Sequence, residues 1–377
     1  MDSTSGVFRF TRLESVVFGS GSIASLGTEL ERRGASRALI VTGSTLGRSK
    51  LLDAVRRSGG EHVCGVFTGA VQHVPSRTVD ALVAEARRLD ADSFVSFGGG
   101  SPIDTAKVAT MRLLGERPPG AEMLHIAVPT TLSAGEFTPF GGVTDEARRE
   151  KGGVGDPRLQ ARVVILDPEL TRETPAWLWA STGMRALDHA VESAYSRRHQ
   201  PLTDMMAARA IAMLTAHLRP SLATAGSEEL EHRMQCQLAA WFSIFGAMNT
   251  GLGVSHALGH QIGPYWNVPH GITSCITLPH VMRFMAGIAP ERFAPIAEGF
   301  GIRFDPANPR PAAFECADRT AAFIRQFEVP MRLRDVGAPY EQLSRIAGAV
   351  LAEIERSNMV GRPIMIGDLV GLLESAY

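Results

Sequence analysis

Between residues 38 and 166 the sequence alternates short, apolar, β-branched runs with segments of helical spacing, and no other feature restricts the fold as much. Residues 38–42 (ALIVT), 63–67, 93–97 (SFVSF), 125–128 and 163–166 (VVIL) have the brevity and branching of strands buried on both faces of a parallel sheet. Segments 23–33, 46–58, 76–88 and 101–112 carry apolar residues at helical intervals. Parallel neighbours need crossover connections, which helices supply. Residues 1–168 therefore read as a doubly wound, Rossmann-like α/β domain.

Beyond about residue 167 strand-like runs become scarce. Amphipathic segments at 184–196, 202–218, 228–247 and 343–356 predict a helical domain over residues 169–377, with loops at 264–271 and 306–311 marked by Pro and Gly. A chain of 377 residues with 45% hydrophobic side chains supports two such cores without disulfides. Its formal net charge of -1 offers no electrostatic footprint for a nucleic acid or a membrane surface. Residues 1–12 lack the apolar stretch of a secretory signal, and no run approaches the ~18 apolar residues of a membrane span. Cys64, Cys236, Cys275 and Cys316 form no CxxC pair, so reduced thiols in a cytoplasmic protein are the expectation.

The strongest local motif follows the SFVSF run: Gly98-Gly99-Gly100-Ser101-Pro102-Ile103-Asp104-Thr105-Ala106-Lys107. Glycines there let the backbone approach a diphosphate, while free N–H groups and the positive end of the next helix face its charge. Ser101 is the expected N-cap, with Asp104 three residues on as in a capping box and Pro102 at the first helical position. The same residues also describe a tight turn that holds no ligand. Gly43 and Ser44 end the ALIVT strand with Arg48 and Lys50 nearby and no carboxylate to repel a ribose 2′-phosphate, which leaves room for NADPH as well as NADH. Thr130 and Thr131 end another strand at the same carboxyl edge. Lysine is rare, with three among 38 Lys and Arg residues, so Lys107 and Lys151 mark places where a compact ammonium is wanted. Lys151 follows a charged stretch, 145–150, that reads as an exposed hairpin.

Histidines gather in the second domain. His256 and His260, four apart, share a helical face; the Asn267-Val268-Pro269 turn can fold His270 back beside them, and His189 lies on another predicted helix. Three imidazoles with a fourth as proton relay suit a metal site, but spacing alone favours histidines satisfied separately by core hydrogen bonds.

In order, GGGSPIDTAK, the PTT of residues 129–131, GMRALDHAVESAY (183–195) and GVSHALGHQIGPYWNVPHG (253–271) resemble the iron-containing (group III) alcohol dehydrogenase family. The resemblance runs from about Val16 through the C-terminal helices and implies a dehydroquinate synthase-like fold, a nucleotide-binding α/β domain followed by a helical one. It implies that Gly98, Gly99, Gly100 and Ser101, with Asp104 in the same motif, hold a diphosphate. Thr130, Thr131 and Leu132 would line the nicotinamide half, and Lys151 would reach its ribose. Metal-binding members use an aspartate and a histidine at i and i+4, then two more histidines; His189, His256 and His270 match the histidines, and His260 matches one placed beside the substrate for proton transfer.

The aspartate position holds Arg185. A guanidinium keeps its charge and cannot coordinate a metal. Beside a divalent ion at about 4 Å it would be repelled by roughly 8 kcal/mol at an effective dielectric near 20. Loss of that aspartate resembles the metal-free maleylacetate reductase branch, as do the placement of Glu136 in PTTLSAGEFTP and the GAVQHVP stretch (69–75). GGGSPIDTAK and the PHG of 269–271 follow the alcohol dehydrogenase style, so the chain is a mosaic. The resemblance implies an NAD(P)H-dependent reductase of a small, carboxylate-bearing carbonyl or conjugated enoate, acting as a homodimer without a catalytic metal. In it Arg185 would stabilise an oxyanion or hold a carboxylate, with His189 in the same cluster and His256, His260 and His270 supplying donors and a proton. The alternatives are an Fe- or Zn-dependent alcohol dehydrogenase with metal on His189, His256 and His270, a dehydroquinate synthase-like lyase, and a non-catalytic nucleotide-binding protein.

Overall fold

The computed structural model describes residues 6–146, 150–357 and 362–377. They divide into two compact units: Phe10–Thr174, and Pro175–Tyr377 together with the segment ending at Arg9.

The first unit runs β1 (Ser15–Phe18), α1 (Leu26–Arg32), β2 (Ala38–Gly43), α2 (Lys50–Gly59), β3 (Val63–Ala70), α3 (Ser76–Arg88), β4 (Ser93–Gly98), α4 (Gly100–Gly115), β5 (Leu124–Pro129), β6 (Phe140–Asp145), β7 (Glu150–Gly155) and β8 (Val163–Leu166). Six strands form one parallel sheet in the order β1-β8-β5-β4-β2-β3, the doubly wound arrangement that the alternation implies. Alternate side chains of each strand serve opposite faces. Leu39, Val41 and Phe94 join Val79, Leu82 and Val83 of α3 and Ala106 and Ala109 of α4 in one core. Ile40, Val95 and Phe97 join Leu26 and Leu30 of α1 and Leu52 and Val55 of α2 in the other. This two-sided burial explains why the strands read as continuous apolar runs.

The chain leaves β2 for β3 on one side and β4 for β5 on the other, so the strand order reverses between β2 and β4. Ligands of open α/β sheets bind outside the carboxyl ends of the strands at such a reversal. Gly43 and Gly98 are the residues found there.

Local differences from the sequence reading have local causes. β1, a four-residue edge strand, is too short to announce itself by periodicity. The helical stretch expected at 46–58 divides because the Ser49 side chain accepts the Leu51 N–H and caps α2, leaving a 3-10 turn at Leu46–Arg48. β6 and β7 pair antiparallel as a hairpin, whose residues 147–149 lie outside the described residues.

The second unit contains α5 (Ala176–Tyr195), α6 (Pro201–His217), α7 (Pro220–Ala223), α8 (Gly226–Phe245), α9 (Ala247–Thr250), α10 (Val254–Trp266), α11 (His270–Ile288), α12 (Ala294–Phe300), α13 (Arg310–Ile324), α14 (Leu343–Ser357) and α15 (Ile366–Ser375). Phe8 stacks on Phe245 at 5.6 Å, and Arg9 exchanges backbone hydrogen bonds with the Asn249 side chain at 2.7 and 3.1 Å, which ties the N-terminal segment to this unit. The loop expected from Pro264 begins three residues later. Pro264 lacks the N–H that would bond the carbonyl of residue 260, yet α10 continues past it to Trp266, and Asn267, left-handed at φ 54°, ends the helix. No described helix is long and apolar enough to cross a membrane.

Candidate active site

The glycine end is built by close approach. Gly98 has φ 140°, a conformation strained for any L side chain, and a Cβ there would meet Pro102 at 2.9 Å. A Cβ on Gly99 would meet the Thr131 methyl at 3.0 Å. The Thr130 N–H donates to Gly98 O at 2.9 Å, tying the end of β5 to the end of β4. Gly43 makes a similar approach, since its Cβ would stand 3.1 Å from Ala70 O. Ser44, Arg48 and Lys50 are exposed beyond it, whereas Thr130, Thr131 and Leu132 are buried. Lys151 belongs to β7, and its side chain lies outside the described residues.

The expected capping box does not form. Gly99 is the N-cap of α4, Gly100 opens the helix, and no side chain caps the terminus. Ser101 and Pro102 therefore fall second and third in the first turn, and Asp104 turns away to accept the Gly142 N–H of β6 at 3.1 Å. Because Gly99 is extended right at the strand end, the helix begins two residues earlier than a cap at Ser101 would allow. The result is a helix N-terminus without a side-chain cap, approachable by an anion.

Behind it Lys107 is fully buried and donates to Gly135 O, Thr138 O and Phe140 O at 2.5, 2.6 and 2.8 Å, and to Thr138 Oγ1 at 3.3 Å. Burial pulls its ammonium down to about 8, opposed by Asp104 and Glu136. Burial likewise pushes the Glu136 carboxyl up to about 7.

The second unit assembles the histidines. Along α5, Arg185, Asp188, His189 and Glu192 recur at three- and four-residue intervals and are all buried. The His189 and His256 rings stand 5.2 Å apart, His256 and His260 5.1 Å, and His260 and His270 6.0 Å, so the four imidazoles form one run from the buried His189 through His256 and the exposed His260 to His270. His270 folds back through the left-handed Asn267 turn. Gly263 leaves it room, since a Cβ there would meet the His270 ring at 3.4 Å.

Arg185 points inward among them. Its Nη1 donates to Ser274 Oγ at 3.2 Å and faces Asp188 Oδ2 at 3.5 Å, and its Nη2 contacts His256 Nε2 at 2.5 Å. A guanidinium only donates, so His256 Nε2 must be an acceptor and the ring neutral with its proton on Nδ1. Burial, with Arg185 adding repulsion, holds His189 and His256 well below the usual imidazole range. Asp188 Oδ2 also accepts from Ser255 Oγ at 2.8 Å and Ser274 Oγ at 2.7 Å; burial pushes this carboxyl up, opposed by Arg185 and the two serines. Glu192 accepts the N–H groups of Gly253, Ser255 and His256 at 2.8, 2.7 and 3.3 Å, covering the start of α10. Gly253 is required for this, because a Cβ would stand 2.9 Å from Glu192 Oε1. Burial and the nearby Asp188 push Glu192 up to about 8.

Two family models account for most of the chain: iron-containing alcohol dehydrogenase over residues 14–168, and the C-terminal part of the Fe-containing alcohol dehydrogenase family over residues 179–377. The chain belongs to the iron-containing alcohol dehydrogenase family. It is an oxidoreductase. A maleylacetate reductase of Pseudomonas sp. (strain P51) is 33% identical over 364 residues, 96% of this chain and 95% of the relative. A lactaldehyde reductase of Escherichia coli (strain K12) is 31% identical over 381 residues, 97% of this chain and 98% of the relative. The crystal structure of maleylacetate reductase from Agrobacterium tumefaciens superposes with a TM-score of 0.82 at 27% identity, covering 99% of this chain and 98% of that one.

The family's name raises the question of a metal, and the residues here do not fit one. The nitrogen that His256 would offer already faces a guanidinium, a fixed cation that cannot leave by losing a proton. Asp188, the nearest carboxylate on α5, is turned to Arg185 and two serines. Gly259 completes the accommodation, for a Cβ there would meet Arg185 Nη1 at 3.3 Å.

Sequence reasoning placed Arg185 and the histidines but missed two carboxylates. Glu192 left a faint signal, one turn beyond His189 on the same face of α5. Glu353, whose Oε1 lies 2.7 Å from His260 Nδ1, left none, being 93 residues away in the chain.

Proposed function

We propose that this chain is an NAD(P)H-dependent reductase of a small, carboxylate-bearing carbonyl or conjugated enoate, and that it works without a catalytic metal. The observation that carries the reading is the buried Arg185 guanidinium on His256 Nε2, a permanent positive charge inside the histidine cluster. Maleylacetate reductases among the relatives support the substrate class.

The glycine end fits a dinucleotide: Gly98, Gly99, Gly100 and Ser101 would hold the diphosphate, with Gly43 and Ser44 beside it at the strand reversal and Thr130, Thr131 and Leu132 toward the nicotinamide. The bound cofactor supplies the hydride. Exposed Arg48 and Lys50 leave a 2′-phosphate acceptable, so NADPH and NADH both serve.

Negative charge that develops on substrate oxygen is stabilised by the field of Arg185, part of which Asp188 offsets. With Nη1 turned to Asp188 and Ser274, Arg185 acts through its charge and through His256 rather than as a two-pronged clamp on a carboxylate. His256 Nε2, an acceptor, is no proton source; exposed His260 is the imidazole that delivers the proton.

Steady-state kinetics with short oxo-acids, conjugated enoates and the matching neutral aldehydes tests the reading. The carboxylate-bearing compounds should be preferred, and Arg185→Ala should lower kcat by about 100-fold while nucleotide affinity stays unchanged. Preference for neutral aldehydes together with wild-type turnover in Arg185→Ala would refute it.

A further inference from the structure

We propose that Glu353, on α14, is a positioning residue that orients His260 for proton delivery. Its Oε1 lies 2.7 Å from His260 Nδ1, and its Oε2 accepts the Gln261 Nε2–H at 3.1 Å. One carboxylate thus engages two successive side chains of α10, and the second contact fixes the rotamer that the first one uses. A carboxylate in this place accepts, so the His260 proton on that side sits on Nδ1 and exchange takes place at Nε2, which has no hydrogen-bond partner among the described residues. His260 is also the exposed member of the histidine run, whereas His256 is locked neutral by Arg185 and His189 is buried.

The inference rests on the reductase reading above for what receives the proton. Hydride adds to the substrate carbon and leaves an alkoxide or enolate. The Nε2–H bond of a doubly protonated His260 then breaks, its proton forms the new O–H or C–H bond, and the ring is left neutral with Nδ1–H on Glu353. Water restores the lost proton. Glu353 touches neither substrate nor cofactor. It acts through the ring.

Glu353→Gln keeps the shape of the side chain but can present an NH2 group to Nδ1. It should lower kcat by about 10-fold with KM and nucleotide affinity within about twofold, and Glu353→Asp should recover part of the loss. Combined with His260→Ala, Glu353→Gln should add nothing further, because its effect passes through the missing ring. Nitrogen-15 NMR of labelled histidine supplies a readout independent of turnover: the neutral ring of His260 should be held as the Nδ1–H tautomer in the wild type and become a mixture of tautomers in Glu353→Gln. An unchanged tautomer, or a loss that adds to that of His260→Ala, overturns the assignment. If no substrate is reduced by the wild-type protein, the reductase reading fails, and the NMR comparison still decides the role of Glu353.

Discussion

Lys107 of the first unit and Arg185 of the second are both buried cations, and the two are satisfied in opposite ways. Lys107 gives its compact ammonium to oxygen acceptors on residues 135, 138 and 140, three of them backbone carbonyls, and so ties the segment after β5 to α4. Arg185 spreads a planar fork over a carboxylate, a hydroxyl and an imidazole nitrogen. A point charge collects carbonyls from any direction, whereas a fork imposes orientation on each partner. The difference teaches what each cation is for: Lys107 holds a loop in shape, and Arg185 sets the protonation of a histidine.

The most damaging way to break this comparison is Lys107→Met, which strands buried acceptors and leaves Asp104 and Glu136 without their cation. It should cost about 3–5 kcal/mol, read as a lowered denaturation midpoint, and should weaken nucleotide binding through the displaced loop. Wild-type stability would mean that the ammonium is incidental. A smaller effect is expected of Gly259→Ala, whose new methyl would stand 3.0 Å from Thr273 Oγ1 and 3.3 Å from Arg185 Nη1. Overpacking there should cost about 1–2 kcal/mol and lower kcat as the fork shifts from His256; wild-type melting and turnover would show slack around Arg185.

A third test concerns pH. Glu136 has a folded value raised from 4.5 to about 7 by burial, so the native state keeps a proton that the unfolded chain has released. Its contribution is fully present below about pH 4.5 and is lost as the pH rises through about 7. The unfolding free energy of the wild type relative to Glu136→Gln should fall across that window, and a flat difference would contradict the assignment.

Much of the scaffold was legible because its cause is local. Runs such as VVIL and SFVSF record burial on two faces, and Gly98 and Gly99 record a place where a Cβ would crowd Pro102 and Thr131. That Gly99 rather than Ser101 caps α4 was not legible, since either residue type can cap and the close approach of Gly99 to Thr131 is a tertiary contact. Arg185 announced a departure from the family's aspartate, but not that it would turn inward onto His256, which depends on α5, α10 and α11 meeting. Glu353 reaches His260 only because α14 packs beside α10, and no periodicity records that meeting.

The most direct test of the central claim, that a guanidinium takes the place of a metal, is turnover of the purified protein after exhaustive chelation, with metal content measured on the same sample. The account predicts full activity in metal-free protein and no gain on adding Fe2+ or Zn2+. Activity that disappears on chelation and returns with either ion would contradict it.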